Sequence, residues 1–231
     1  SAVKAFLENG SDNTRVAITP YSSSVNAGAL KNQVRDLRDN IPADGCSTER
    51  RGAQMFSDAS PVAAKVTRAD ELQFYDVVRN RTDARPVTCP SVAVQPLTRD
   101  ANTLKGIIDR MRPAGYTAGQ IGIQWGWYML SPNWKSALPV KSEPASYGAS
   151  NTEKYLIVMT DGMFNSEASG LSNAAIPSHP GVTLASGRLA LSYCEGIKDR
   201  GIKVYTICFD RKNVPGTPAQ RAELVRMLGD C

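Results

Sequence analysis

The sequence predicts an α/β fold, a doubly wound and mostly parallel sheet flanked by helices. Three observations carry the prediction. Tyr155-Leu156-Ile157-Val158-Met159 is a continuous apolar run closed by Thr160-Asp161-Gly162, the pattern of a strand buried on both faces of a parallel sheet. A second run, Ile202 to Phe209, follows a helical stretch from about Gly187 to Arg200 that Gly201 stops. Upstream, a strand at Ser91–Leu97 leads into a helix whose Leu104, Ile107, Ile108 and Met111 keep the i, i+3, i+4, i+7 spacing. Strands alternating with helices imply layered α/β architecture.

Taken in order, Ser1–Asn9 carries Val3, Phe6 and Leu7 at helical spacing before Gly10 and reads as the tail of an amphipathic helix. Thr14-Arg15-Val16-Ala17-Ile18-Thr19 alternates apolar and polar residues and ends at Pro20, a strand followed by a Ser/Asn-rich turn. Residues 40–90 lose any clear period, and Asp, Arg, Ser and Pro dominate them. They are expected to form a surface insertion within one domain spanning 1–231. After the helix at Leu104–Met111, closed by Pro113 and Gly115, a second helix runs from Thr117 to Pro132. Its apolar residues go nearly all the way round, so it should be buried. In the helix at Gly187–Arg200, Cys194 and Ile197 point inward, and Pro218 opens a last helix carrying Leu224, Val225 and Leu228.

Composition narrows the function. The 231 residues hold 27 Lys+Arg against 22 Asp+Glu, a net charge of +5, with 42% hydrophobic residues. That is a globular chain with material for a sizeable core. The basic excess is spread out, with no run of five or six basic residues and no stacking aromatics alternating with Arg, which argues against nucleic acid as a partner. The longest aliphatic stretch falls far short of the roughly 18 residues that cross a bilayer. Ser1–Glu8 lacks the leader and cleavage site of a secretory signal, so the chain reads as a processed or trimmed product.

Five cysteines, Cys46, Cys89, Cys194, Cys208 and Cys231, show no C-x-x-C spacing, and one histidine cannot complete a zinc set. A bridge from Cys46 to Cys89 would close a long polar loop and suits an oxidising compartment. Among Cys194, Cys208 and Cys231 one is then left over, and the sequence does not say which. No phosphate-binding glycine loop and no G-x-S-x-G elbow occurs, and His179, between Ser178 and Pro180, reads as an exposed loop histidine.

The remaining chemistry lies at the carboxyl ends of parallel strands, where open α/β sheets present ligand sites. Asp161 directly follows a core strand and Thr117 stands at a helix start after Gly115. A carboxylate and a hydroxyl meeting there suit Mg²⁺ or another divalent cation, held with several waters. Taken singly, Thr117 is also explained as a helix N-cap and Asp161 as a turn residue before Gly162. A metal-assisted hydrolase would instead need Asp161 together with carboxylates such as Asp44, Glu49 or Asp58.

The strand Thr14–Thr19, Gly115-Tyr116-Thr117 and Tyr155-Leu156-Ile157-Val158-Met159-Thr160-Asp161-Gly162 together resemble the von Willebrand factor type A domain. Gly115-Tyr116-Thr117-Ala118-Gly119, the segment Gly122–Trp134 with Trp125-Gly126-Trp127 and Leu130-Ser131-Pro132, and Lys203–Phe209 are similar to the variant in TadG-like proteins of bacterial Tad (Flp) pilus assembly. The resemblance covers nearly the whole chain. It implies a metal-ion-dependent adhesion site in which Thr117 and Asp161 match the second and third loops. The first loop, Asp-x-Ser-x-Ser, is absent, and Asp58-Ala59-Ser60-Pro61-Val62 is the nearest approach. The resemblance further implies a first strand between those at Thr14 and Tyr155. The chain is therefore expected to begin after that strand, leaving a slot that upstream residues or strand complementation by another chain would fill, unless the strand order here departs from the family's. It is likewise expected to stop short of the family's final strand and helix. The implied function is non-enzymatic: an extracytoplasmic binding and scaffolding module at the periplasm or cell surface, whose partners are pilus or cell-envelope proteins.

Overall fold

The computed structural model describes residues 13–34, 45–66, 74–76, 81–83, 89–168, 176–209 and 216–231. The expected helix at Ser1–Asn9 and Asp44 lie outside them. The architecture is mixed α/β, and it is organised around one helix.

In chain order the elements are β1 (Val16–Ile18), β2 (Val25–Asn26), α1 (Lys31–Val34), β3 (Cys46–Ser47), β4 (Phe74–Asp76), β5 (Arg81–Asp83) and β6 (Gln95–Thr98). They continue with α2 (Ala101–Arg110), α3 (Gly119–Leu130), β7 (Tyr155–Thr160), β8 (Ser166–Ala168), α4 (Ala185–Asp199), β9 (Lys203–Cys208) and α5 (Pro218–Asp230). Asp100 caps α2 by accepting from the Asn102 amide at 3.0 Å. Thr217 and Gln220 form a reciprocal capping box at α5, with Pro218 in its first turn.

Helix α3 is buried from Gly119 to Met129. It is apolar all round because it serves two cores. Ile123 and Trp127 belong to a cluster with Leu156, Val158, Leu189 and Ile197. Ile121, Trp125, Tyr128 and Met129 belong to another with Val25, Val34, Val94 and Trp134. In the second cluster Tyr128 stacks on Trp134 with ring centroids 4.0 Å apart.

The strands form small sheets. β7 and β9 pair in parallel from Tyr155↔Lys203 to Thr160↔Cys208, and α4 makes the crossover between them. β1 pairs antiparallel with β6, β2 with β3, and β4 lies between β5 and β8. One doubly wound sheet is thus not seen among the described residues. The two strands flanking the expected slot, β1 and β7, are not paired to each other, and both pack on α3.

Two expectations need correction. The run at Tyr155 is not buried on both faces. Leu156, Val158 and Thr160 point inward, whereas Tyr155, Ile157, Tyr205 and Ile207 are 44%, 43%, 54% and 38% exposed. The cause is layering: α3 packs on β7 while α4 and α5 pack on β9, so among the described residues helices cover the inner face alone. The segment 40–90 is also not wholly a surface insertion, because Cys46–Arg50, Met55, Asp58 and Val66 are buried. The polar residues of α3 draw it in. Gln124 Oε1 accepts from the Arg50 amide, Gln124 Nε2 donates to Met55 O, and Gln120 Nε2 donates to Glu49 Oε1 at 2.9 Å. Arg50 lies over Tyr128, its guanidinium carbon 4.9 Å from the ring centroid.

Cys46 and Cys89 are bridged across 43 residues, as expected, and Cys194 pairs with Cys231 across 37. Cys208 keeps its thiol. In the chain-entropy account each bridge contributes about 4 kcal/mol by restricting the unfolded chain.

Candidate functional site

The carboxyl ends of β7 and β1 and the approach to α3 meet at one rim. Thr160, the last residue of β7, folds the chain back by donating its hydroxyl to Gly162 O at 2.9 Å and accepting from the Gly162 amide. That turn presents Asp161, which is exposed. Thr117 is held by a reciprocal clasp. Its amide donates to Asn165 Oδ1 at 2.7 Å, and its carbonyl accepts from the Asn165 amide at 2.9 Å. Ser22 O accepts from the Ala118 amide and Ser23 Oγ from the Tyr116 amide, which ties the loop to the end of β1.

These bonds bring Thr117 beside the Asp161 turn. A β-carbon built on Gly162 would stand 3.7 Å from Thr117 Oγ1. The N-cap of α3 is Ala118, which has no side-chain oxygen to give, so the Thr117 hydroxyl does not cap the helix. Neither the Thr117 hydroxyl nor the Asp161 carboxylate has a hydrogen bond or ion pair among the described residues. Both oxygens are available to a ligand.

Tyr21 completes the rim. Its hydroxyl donates to Met159 O at 2.8 Å. In the parallel register the backbone groups of Thr160 face β9, so those of Met159 face the opposite edge of β7, and Tyr21 occupies it there. Burial pushes the Tyr21 phenol up to about 12, with the Asp161 charge adding in the same direction. Tyr21, Ser23 and Asn165 were not singled out from sequence. The signal that could have found the first two is the polar run Tyr21-Ser22-Ser23-Ser24 directly after a strand.

The site supplies one carboxylate and hydroxyl oxygens. Among the described residues no group of three or more His, Cys, Asp and Glu side chains could hold one ion. These residues alone do not make a closed site for a divalent cation, which keeps few protein ligands but prefers carboxylates or phosphates among them. Of the carboxylates named for a metal-assisted hydrolase, Asp44 lies outside the described residues, and Glu49 and Asp58 are engaged elsewhere. Glu49 bonds Gln120, and Asp58 accepts from Ser131 Oγ, Asn133 Nδ2 and Tyr147 OH with Arg200 at 3.7 Å. His179 is not an exposed loop histidine: its side chain is 9% exposed and packs on α4.

A scan against protein-family models finds no match for the chain, and neither the curated proteins nor the solved structures yield one.

Proposed function

We propose that the chain is a non-enzymatic protein-binding and scaffolding module of the bacterial cell envelope, working outside the cytoplasm, of the kind the TadG-like resemblance implies. The observation that carries the reading is the pair of uncommitted oxygens, Thr117 Oγ1 and the Asp161 carboxylate, held at one rim by a clasp that fixes the backbone and leaves the side chains open. Two disulfides support an oxidising compartment. The partner meets the rim through direct hydrogen bonds and charge, and the partial adhesion site takes a divalent cation only when further ligands are supplied.

Two measurements test this. Calorimetric titration of the isolated chain with Mg²⁺ is expected to show weak or absent binding, and micromolar affinity would contradict it. Thr117→Ala and Asp161→Ala are expected to keep the native unfolding curve while abolishing crosslinking to cell-envelope proteins that the native chain captures. Asp161→Ala leaving both stability and capture unchanged would reduce the rim to a turn and leave a purely structural domain.

A further inference from the structure

We propose that the seam between the segment Ser47–Arg50 and helices α3 and α4 is an internal hydration site, which holds a small cluster of ordered waters as part of the fold. Six side chains line it, and all are fully buried: Ser47, Thr48, Arg50, Gln120, Ser166 and Tyr193. Seven of their polar atoms have no hydrogen-bond partner in the protein. They are Ser47 Oγ, Thr48 Oγ1, Arg50 Nε and Nη2, Gln120 Oε1, Ser166 Oγ and the Tyr193 hydroxyl.

These atoms belong to one place. Gln120 Nε2 donates to Glu49 Oε1 and, at 2.8 Å, to Ser166 O, which sets β8 beside the buried segment. The Arg50 amide donates to Gln124 on the same helix, and the Arg50 guanidinium lies over Tyr128. The charges of Glu49 and Arg50 both act on Tyr193, so α4 closes the seam from the other side.

Magnitude decides against a dry seam. A buried donor or acceptor left unmade costs about a factor of ten or more in the folding equilibrium. Seven such factors multiply to about 10⁷, as large as the whole folding equilibrium constant of a typical domain, about 10³–10⁸.

The groups on offer identify the occupant. Arg50 Nε and Nη2 can only donate, Gln120 Oε1 can only accept, and the four hydroxyls do both. The Gln120 amide cannot be turned round, because both groups facing its Nε2 are acceptors. An anion would satisfy Arg50 and leave the Gln120 carbonyl unmade, and a cation would do the reverse. Burial holds the Tyr193 phenol well above its usual value, so it keeps its proton, and the charges of Glu49 and Arg50 act on it with opposite signs. That is a setting for a neutral occupant that both donates and accepts, which is water. At about three bonds each, about two to three waters complete the seam. A stretch rich in Ser, Asp and Arg thus lies in the interior because it meets α3 and α4 partly through water.

Two measurements test the site. Crystals of the native chain grown in bromide are expected to show water-sized density within hydrogen-bond distance of Arg50 Nη2 and the Tyr193 hydroxyl, with no anomalous signal. An anomalous peak beside Arg50 would put an anion there, and direct protein partners for both groups would leave water no role; either result overturns the proposal. In urea unfolding, Tyr193→Phe is expected to lower the folding equilibrium constant about threefold to tenfold, the loss of one hydrogen bond to water. In a dry seam the same change deletes an unpaired hydroxyl and raises the constant, so a variant at or above native stability also overturns it. Should that variant fail to fold, Ser47→Ala carries the same test with the same opposite signs.

Discussion

Glu167 is a carboxyl group that folding carries out of water into like charge. It is 7% exposed on β8. Burial pushes it from 4.5 up to about 7, the charge of Glu49 pushes further, and Arg188 pulls back. Geometry explains the proximity: Gln120 Nε2 donates to both Glu49 Oε1 and Ser166 O, stitching the two acidic segments together. Because the folded value lies above the unfolded one, the folded chain binds the extra proton between them. The contribution is fully present below about pH 4.5 and is lost as pH rises through about 7, on the order of 3 kcal/mol. Urea unfolding at about pH 5 and pH 8 should therefore show native stability falling with pH, while Glu167→Gln stays flatter and exceeds native at pH 8. A variant whose pH profile parallels the native one would remove Glu167 as the source. Sequence did not reveal this residue, since Ser166-Glu167-Ala168 carries no burial pattern of its own; its surroundings come from segments remote along the chain.

At the scale of elements, α3 is the part whose sequence speaks most directly, yet its glycines need the structure to be understood. Gly119, Gly122 and Gly126 stand where α3 meets three different neighbours. Added β-carbons would sit 2.0 Å from the Phe164 ring, 2.4 Å from the Tyr21 ring and 2.5 Å from Leu156 Cδ1. Glycine lowers helix propensity by about 1 kcal/mol relative to alanine, so the close approach of these side chains must outweigh that cost. Gly106 on α2 meets only the flexible end of Arg110, at 3.4 Å. Opposite signs are expected. Gly106→Ala should stabilise by about 0.5–1 kcal/mol, whereas Gly122→Ala should destabilise by about 1–3 kcal/mol by pushing the Tyr21 ring off the helix. Denaturant midpoints for the two variants decide it, and a stabilising Gly122→Ala would mean that Tyr21 does not pack as described. The all-round apolar pattern of α3 gave its burial without saying why. The reason, two clusters on opposite sides with Gln120 and Gln124 gripping the segment at Cys46–Asp58, depends on a stretch that has no periodicity to read.

Across the whole molecule, the alternation of strand and helix was legible, but how the layers stack was not. An apolar run such as Tyr155–Met159 has the same composition whether helices cover one face or two. Among the described residues they cover one, and the parallel pair β7–β9 turns Tyr155, Ile157, Tyr205 and Ile207 outward while Leu156 and Val158 enter the core. Lys203 and Glu153 form an exposed, solvent-screened ion pair at one end of this face; Lys203 Nζ lies 5.3 Å from the Tyr155 ring centroid, and Tyr155 still stays 44% exposed. The two faces therefore make unequal demands on the same chemistry. Val158→Thr places a hydroxyl in the closed core and should destabilise by about 1–3 kcal/mol. Ile157→Thr and Ile207→Thr, one step along the same strands, leave the hydroxyl in water and keep a β-branched side chain, so each should cost under about 0.5 kcal/mol. Equal losses on the two faces in urea unfolding would show that the outer one is covered in solution, and the one-sided layering described above would then be wrong.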